Sequence, residues 1–184
     1  PIKQVILCGF GGQGIVLAGT ILSQAAFNDG KWVSSTASYG AAARGGACRA
    51  EVLISERPII FPYVIAADTL IAMYHTAYDK YIGRVKPGEG VVIYDERFVP
   101  EEVEGVKYAG IPATRTATEE LNNGMAANVI ILSAAVEMTD VVSEKELKSA
   151  IEETIPERLR ELNLEAMNIG FRLGRTRSNH MRQR

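Results

Sequence analysis

The chain has 184 residues, of which 47% are hydrophobic, and a formal net charge of −2. That length buries a real core as one domain, with at most a small appendage, and the near-balanced charge argues against a general nucleic-acid or membrane surface. No uninterrupted apolar stretch reaches bilayer length and the opening "PIKQVILCGFGG" carries no signal-peptide features, so a soluble cytoplasmic protein without a membrane span is expected.

Ile2 to Leu7, "IKQVIL", is an apolar run of strand length rich in β-branched residues. The stretch "LCGFGGQG" follows it, and after that Ile15, Ala18, Leu22, Ala25 and Ala26 recur at helical spacing until Asn28-Asp29-Gly30 stops the pattern. Gly9, Gly11 and Gly14 therefore form G-x-G-x-x-G between a strand and a helix, with Gly12 and Gln13 inside the turn. In that setting the motif allows a tight turn, close approach of backbone to phosphate, and free N–H groups facing an anion at the helix start. A phosphate-bearing ligand and a purely structural glycine turn both satisfy it.

The second strand is expected at Lys31 to Thr36 and ends in hydroxyl residues, whereas a dinucleotide site places Asp or Glu there for the ribose; Asp29 sits at the wrong end. An intact NAD site is therefore not expected. The segment "SSTASYGAAARGGACRAE", Ser34 to Glu51, is small in side chain yet poor in proline and charge. Ser38, Tyr39, Gly45 and Gly46 suit backbone lying against a ligand, a cofactor or another chain, and Arg44 is either a fixed cation for phosphate or carboxylate or a surface arginine. The first two strands are expected to be neighbours, so this segment faces the glycine loop across the carboxyl edge of the sheet.

Further strands are expected at Ala47 to Ser55 (half-exposed), Asp68 to Tyr74 (buried), Gly90 to Asp95, and "VKYAGI" as a short edge. Helices are expected in "HTAYDKYIGRV", from about Ala113 to Asn122, from Ala126 to Glu137, from Ser143 to Ile155 and from Pro156 to Leu173. The alternation predicts an α/β fold: a Rossmann-like, mostly parallel sheet flanked by helices, with C-terminal helices. Residues 1–174 read as one domain and 175–184 as a basic, flexible tail. In the last helix Leu162, Ala166, Ile169 and Leu173 share one face with Gly170 beside them, which suits packing on the core or on another chain. Cys8 and Cys48 lack metal-ligand spacing and read as buried thiols, Asn128 as a helix-start or buried hydrogen-bonding residue, and Tyr39 as either a pocket cover or core filling. His75 and His180 have no visible acidic or cysteine partner, so no catalytic residue and no metal site is assigned.

"GFGGQG" after the first strand, "SYGAAARGG" before a strand, "GMAANVIILSA" and "NLEAMNIGFRLG", in that order, resemble the gamma subunit of the 2-oxoacid:ferredoxin oxidoreductases, from about Lys3 to Gly174 and most closely in the 2-oxoglutarate branch. Such enzymes convert a 2-oxoacid and coenzyme A to an acyl-CoA and carbon dioxide with thiamine diphosphate and Mg2+, and pass electrons through iron–sulfur clusters to ferredoxin. The resemblance implies alpha, beta and ferredoxin-like delta partner chains that carry those cofactors. This chain's two cysteines are too few for a cluster, which makes it a non-redox subunit. It also implies coenzyme A as a possible shared ligand, with Gly9, Gly11, Gly12, Gln13, Gly14, Ser38, Tyr39, Arg44, Gly45 and Gly46 as the candidate contacts. The alternative is an autonomous NADP-dependent reductase in which Ser34, Ser35 and Arg44 bind a 2′-phosphate.

Overall fold

A computed structural model describes residues 1–39 and 46–182. In chain order the elements are β1 (Lys3–Phe10), α1 (Ile15–Asn28), β2 (Trp32–Ser38), β3 (Ala47–Ser55), β4 (Thr69–Ala72), α2 (His75–Tyr81), β5 (Val91–Asp95), β6 (Lys107–Ile111), α3 (Ala113–Leu121), α4 (Ala127–Thr139), α5 (Glu144–Thr154) and α6 (Glu157–Arg182). The sheet order is β2-β3-β1-β4-β5-β6. β1, β4, β5 and β6 pair in parallel, while β3 runs antiparallel to both β1 and β2.

This order corrects one sequence expectation. β2 runs in the same direction as β1 but does not touch it, because β3 is inserted between them. The same insertion explains why β3 is buried where a half-exposed strand was expected: it is an interior strand with both faces covered. α1 packs on one of those faces so closely that a Cβ on Gly19 would come within 2.6 Å of the Ala50 Cβ. Leu53 faces the other side, with Ile6, Cys8, Leu70 and α2.

α1, α4, α5 and α6 lie on one face of the sheet. α4, "ANVIILSAAVEMT", is apolar around nearly its whole circumference and is buried from Ala127 to Val136, as a helix of that composition must be. α5 begins with a serine N-cap, the Ser143 hydroxyl accepting from the Glu146 N–H at 3.2 Å. α6 lays Ala166, Met167 and Phe171 against the core, with Ile169 buried beside them and Leu162 and Leu173 half-buried at the border. A Cβ on Gly170 would meet the Ile130 carbonyl and lie 2.6 Å from the Ser133 Cβ, so α4 and α6 touch at glycine distance within one chain. α6 runs past the expected stop at Leu173 to Arg182; Arg175 reaches Glu137 at 3.5 Å and Arg177 reaches Glu96 at 2.5 Å, anchoring the added turns to α4 and to the end of β5.

The opposite face carries α2 with the turn that follows it, the irregular segment 56–68 and, beside Tyr78, part of the loop after β5 that includes Phe98. Nearly buried Glu51 on β3 pins that segment, accepting from Arg49 Nε at 3.0 Å, from Arg84 and from the Val64 N–H at 3.3 Å. Gln4 on β1 adds a second tie, its Oε1 accepting from the N–H groups of Ile65 at 2.7 Å and Ala66 at 3.3 Å.

Candidate functional site

β1 passes its chain to α1 on one face of the sheet, and β4 passes its chain to α2 on the other. The connections therefore diverge between two adjacent parallel strands, the place where open α/β sheets form a crevice beyond the strand carboxyl ends. A cleft of about 320 Å³ lies there, lined by Phe10, Gly12 and Gln13 after β1, Met73 after β4, Arg97 after β5, Thr114 in the first turn of α3, and Gly124, Met125 and Ala127 at the start of α4.

The glycine loop owes its shape to one side chain. Gln13 donates its backbone N–H to the Phe10 carbonyl at 3.2 Å, accepts the Phe10 N–H on Oε1 at 2.9 Å, and donates from Nε2 to the Met73 carbonyl at 3.1 Å. Its amide thus holds the ends of β1 and β4 together. Gly9 has no room for a Cβ beside Gln13 Oε1 and Ile15 Cδ1. Gly12 and Gly14 have φ values of +94° and +72°, the left-handed region where glycine carries no steric cost. The Gly14 carbonyl accepts from Asn128 Nδ2 at 3.1 Å and from the Ala18 N–H at 3.0 Å. Asn128, 4% exposed, is therefore a buried strut between the starts of α1 and α4. The close helix-on-sheet contact that the motif usually assigns to its third glycine is made by Gly19 instead.

At the other side of the cleft, fully buried Asp95 ends β5 and holds the start of α3. It accepts from the Thr114 hydroxyl, from the Thr114 N–H at 3.5 Å and from the Arg97 N–H at 3.4 Å. Burial pushes its carboxyl above the ordinary range, an effect that the Thr114 hydrogen bonds and the Arg97 charge oppose. Arg97 itself is exposed and makes no ion pair within 4.0 Å among the described residues. The first-turn N–H groups of α1 have no acceptors inside the helix and no side-chain cap, and α1 begins at the cleft, whereas α4 continues from a 3-10 turn whose Gly124 carbonyl already takes the Ala127 N–H. A free guanidinium and the N-terminus of α1 together favour an anionic ligand.

Among the residues singled out from sequence, Gly12 and Gln13 line the cleft, and Gly9, Gly11 and Gly14 belong to the loop that forms its edge. Ser38 and Tyr39 lie at the end of β2, two strands from β1, and Gly46 precedes β3. Arg44 and Gly45 lie outside the described residues. The expectation that the β1 and β2 loops leave adjacent strands does not hold, since β3 separates them. Sequence reasoning missed Arg97, Thr114 and Met125. The available signal was "YDERF" at the carboxyl end of a predicted strand, a position as favoured for ligands as the ends of the first two.

Cys8 and Cys48 are both buried free thiols, and burial pushes each thiol up, Cys8 the further. His75 rests its ring against Tyr74 at 4.5 Å, and His180 Nδ1 lies 2.7 Å from the Thr176 carbonyl. Among the described residues no three His, Cys, Asp or Glu side chains are grouped to hold a metal, and no helix is long and apolar enough to cross a membrane.

Residues 4–173 match the pyruvate ferredoxin/flavodoxin oxidoreductase family. The chain belongs to that family. It is 43% identical over 178 residues to the 2-oxoglutarate synthase subunit KorC of Methanocaldococcus jannaschii, covering 94% of each chain. The gamma subunit of a keto/oxoacid ferredoxin oxidoreductase from Geobacter sulfurreducens has the same fold, with a TM-score of 0.87, 33% identity, and coverage of 96% of this chain and 98% of that one. The 2-oxoglutarate:ferredoxin oxidoreductase of Magnetococcus marinus, solved with 2-oxoglutarate, coenzyme A and succinyl-CoA bound, matches with a TM-score of 0.86 and 27% identity over 95% of this chain but only 31% of its own. These family relatives are subunits of oxidoreductase complexes. The autonomous NADP-dependent reading is not supported: its Ser34 hydroxyl is spent on the Pro62 carbonyl at 3.1 Å, and β3 separates the end of β2 from the glycine loop.

Proposed function

We propose that this chain is the gamma-type subunit of a multi-subunit 2-oxoglutarate:ferredoxin oxidoreductase, converting 2-oxoglutarate, coenzyme A and oxidised ferredoxin to succinyl-CoA, carbon dioxide and reduced ferredoxin. The observation that carries this is the 43% identity to a 2-oxoglutarate synthase subunit over 94% of both chains. In this reading residues 1–174 are its single gamma-type domain, 175–184 a basic extension, and the enzyme is cytoplasmic. Thiamine diphosphate, Mg2+ and the iron–sulfur clusters reside in the alpha, beta and ferredoxin-like delta partners, since two buried cysteines cannot ligate a cluster.

The chain's own contribution is the crevice. Its anionic guest is coenzyme A, with phosphates meeting Arg97 and the start of α1. The loop of Gly9, Gly11, Gly12, Gln13 and Gly14 sets the backbone distance, and Ser38, Tyr39, Arg44, Gly45 and Gly46 are the second group of candidate contacts, Gly46 adjoining Ala47, which pairs with Phe10. The residues present fit such a guest because the cleft holds one unpaired cation and no acidic side chain among its lining residues.

The test uses the assembled enzyme. Arg97→Ala is expected to raise the Michaelis constant for coenzyme A about tenfold, for a contact worth about 1.4 kcal/mol, and to leave that for 2-oxoglutarate unchanged. Arg44→Ala, measured alongside, tests the second group of candidate contacts. Unchanged coenzyme A kinetics in both variants removes coenzyme A from the crevice. Stoichiometric iron in the purified chain overturns the non-redox role.

A further inference from the structure

The sheet face opposite α4 and α6 is covered unevenly. Beside α2 and its following turn, the segment 56–68 lies over Gln4 and Ser34, near the starts of β1 and β2. Residues 58–67, "PIIFPYVIAA", contain no charged side chain. Ile60 is 97% exposed and Ile65 72% exposed, and the Phe61 and Tyr63 rings stand out together in an edge-on contact at 5.5 Å. Strand register adds two more apolar groups to this face. Leu53 pairs with Gln4 and with Ser34, which places Ile2 and Trp32, each two residues away along its strand, on the same side. An open apolar groove of about 280 Å³ runs among them.

The segment is firmly held. The Gln4 amide oxygen, the Ser34 hydroxyl and the Glu51–Arg84 pair each fasten its backbone to the sheet or the adjoining turn. Its isoleucines therefore project from a preorganised surface, the arrangement that makes an interface at low entropic cost. A contiguous exposed apolar patch of this kind marks an interaction site.

We infer that this face, built from Ile2, Trp32, Ile60, Phe61, Tyr63 and Ile65, docks the chain onto a different, larger subunit of its enzyme; this rests on the subunit reading given above. The occupant follows from the Magnetococcus marinus protein, in which the region matching this chain is only 31% of one longer polypeptide. There a covalent connection keeps the domain beside the rest of its chain. The KorC and Geobacter sulfurreducens relatives are matched over 94% and 98% of their own length, so in them the same neighbour is held by surface rather than by a fused chain, and the uncharged aromatic and aliphatic composition of this face calls for an apolar counterpart. The face lies at the amino end of β1 and the crevice at its carboxyl end, about 25 Å away along eight strand residues, so docking here leaves the crevice open.

The experiment co-expresses the chain with the other subunits and measures its affinity for the assembly. In Ile60→Glu/Ile65→Glu, both changes fall on exposed side chains, so the melting temperature of the isolated chain should stay within a degree or two of wild type. Affinity for the remaining subunits should fall at least about tenfold. Phe27→Glu, which charges another exposed apolar position outside this face, should assemble normally. Equal assembly by the doubly charged chain overturns the inference. So does a wild-type homodimer, seen by sedimentation, that the double variant dissolves, since a second copy would then be the occupant. A wild-type chain that joins no thiamine-binding subunit at all sinks the subunit reading itself, an outcome visible without any variant.

Discussion

Replacing Gly170 by alanine adds one methyl group where α6 presses on α4. The new Cβ would overlap the Ile130 carbonyl oxygen and lie 2.6 Å from the Ser133 Cβ and 3.1 Å from the Ala134 N. Two of these atoms are backbone in a helix buried on all sides, so neither can rotate away, and the two helices must separate. Overpacking of this sort costs about 1–3 kcal/mol, and the rigid contacts argue for the upper end. Alanine recovers about 1 kcal/mol of helix propensity, leaving a net loss of about 2 kcal/mol. For a chain of this length that corresponds to a melting temperature lower by about 4–8 °C. Thermal unfolding by circular dichroism on the isolated chain reads it, with Gly83→Ala as the control, because nothing lies within 4 Å of a Cβ there. A Gly170→Ala chain that melts at or above wild type would refute the glycine-distance contact.

Gln13→Ala strips partners from the Phe10 N–H and the Met73 carbonyl, and should cost about 1–3 kcal/mol in denaturant unfolding while speeding amide exchange in the glycine loop; unchanged exchange would contradict its role as the strut. Asp95 has a folded pKa above its ordinary value of 3.8, so the folded state binds the proton more tightly and stability declines as pH rises from there through the folded pKa. Asp95→Asn should flatten that part of the stability–pH profile and lose no stability at neutral pH, and a profile identical to wild type would contradict the assignment. Truncation after Ile155 removes Ala166, Met167 and Phe171 from the core, and the shortened chain should fail to fold cooperatively.

The glycine loop, α1 and most later elements were legible because their signals are local: strand-length apolar runs, helical spacing and turn residues. The position of β3 was not. Whether a strand slips between its predecessors or adds at the edge is decided by long-range pairing, and "ACRAEVLIS" looks half-exposed until β1 and β2 flank it. That one insertion leaves Ser38 and Tyr39, at the end of β2, a strand away from the glycine loop, while the start of β3 lies beside it, Ala47 opposite Phe10; the crevice is lined instead from the ends of β4 and β5 and the starts of α3 and α4. The end of α6 was missed for a similar reason. Arg175 and Arg177 read as tail residues in a basic run, and only the folded chain supplies Glu137 and Glu96 as their partners.

α4 has no polar side to turn toward water, and one of the surfaces that cover it is α6, which follows it in the chain. While the chain is being made, α4 emerges with its α6-facing stripe of Ile130, Ser133 and Ala134 bare until α6 has been added. Synthesis of α6 is therefore the event that lets this side of the core close. Chains stalled before α6 leave an apolar helix exposed, the kind of surface that aggregates or is taken up by chaperones.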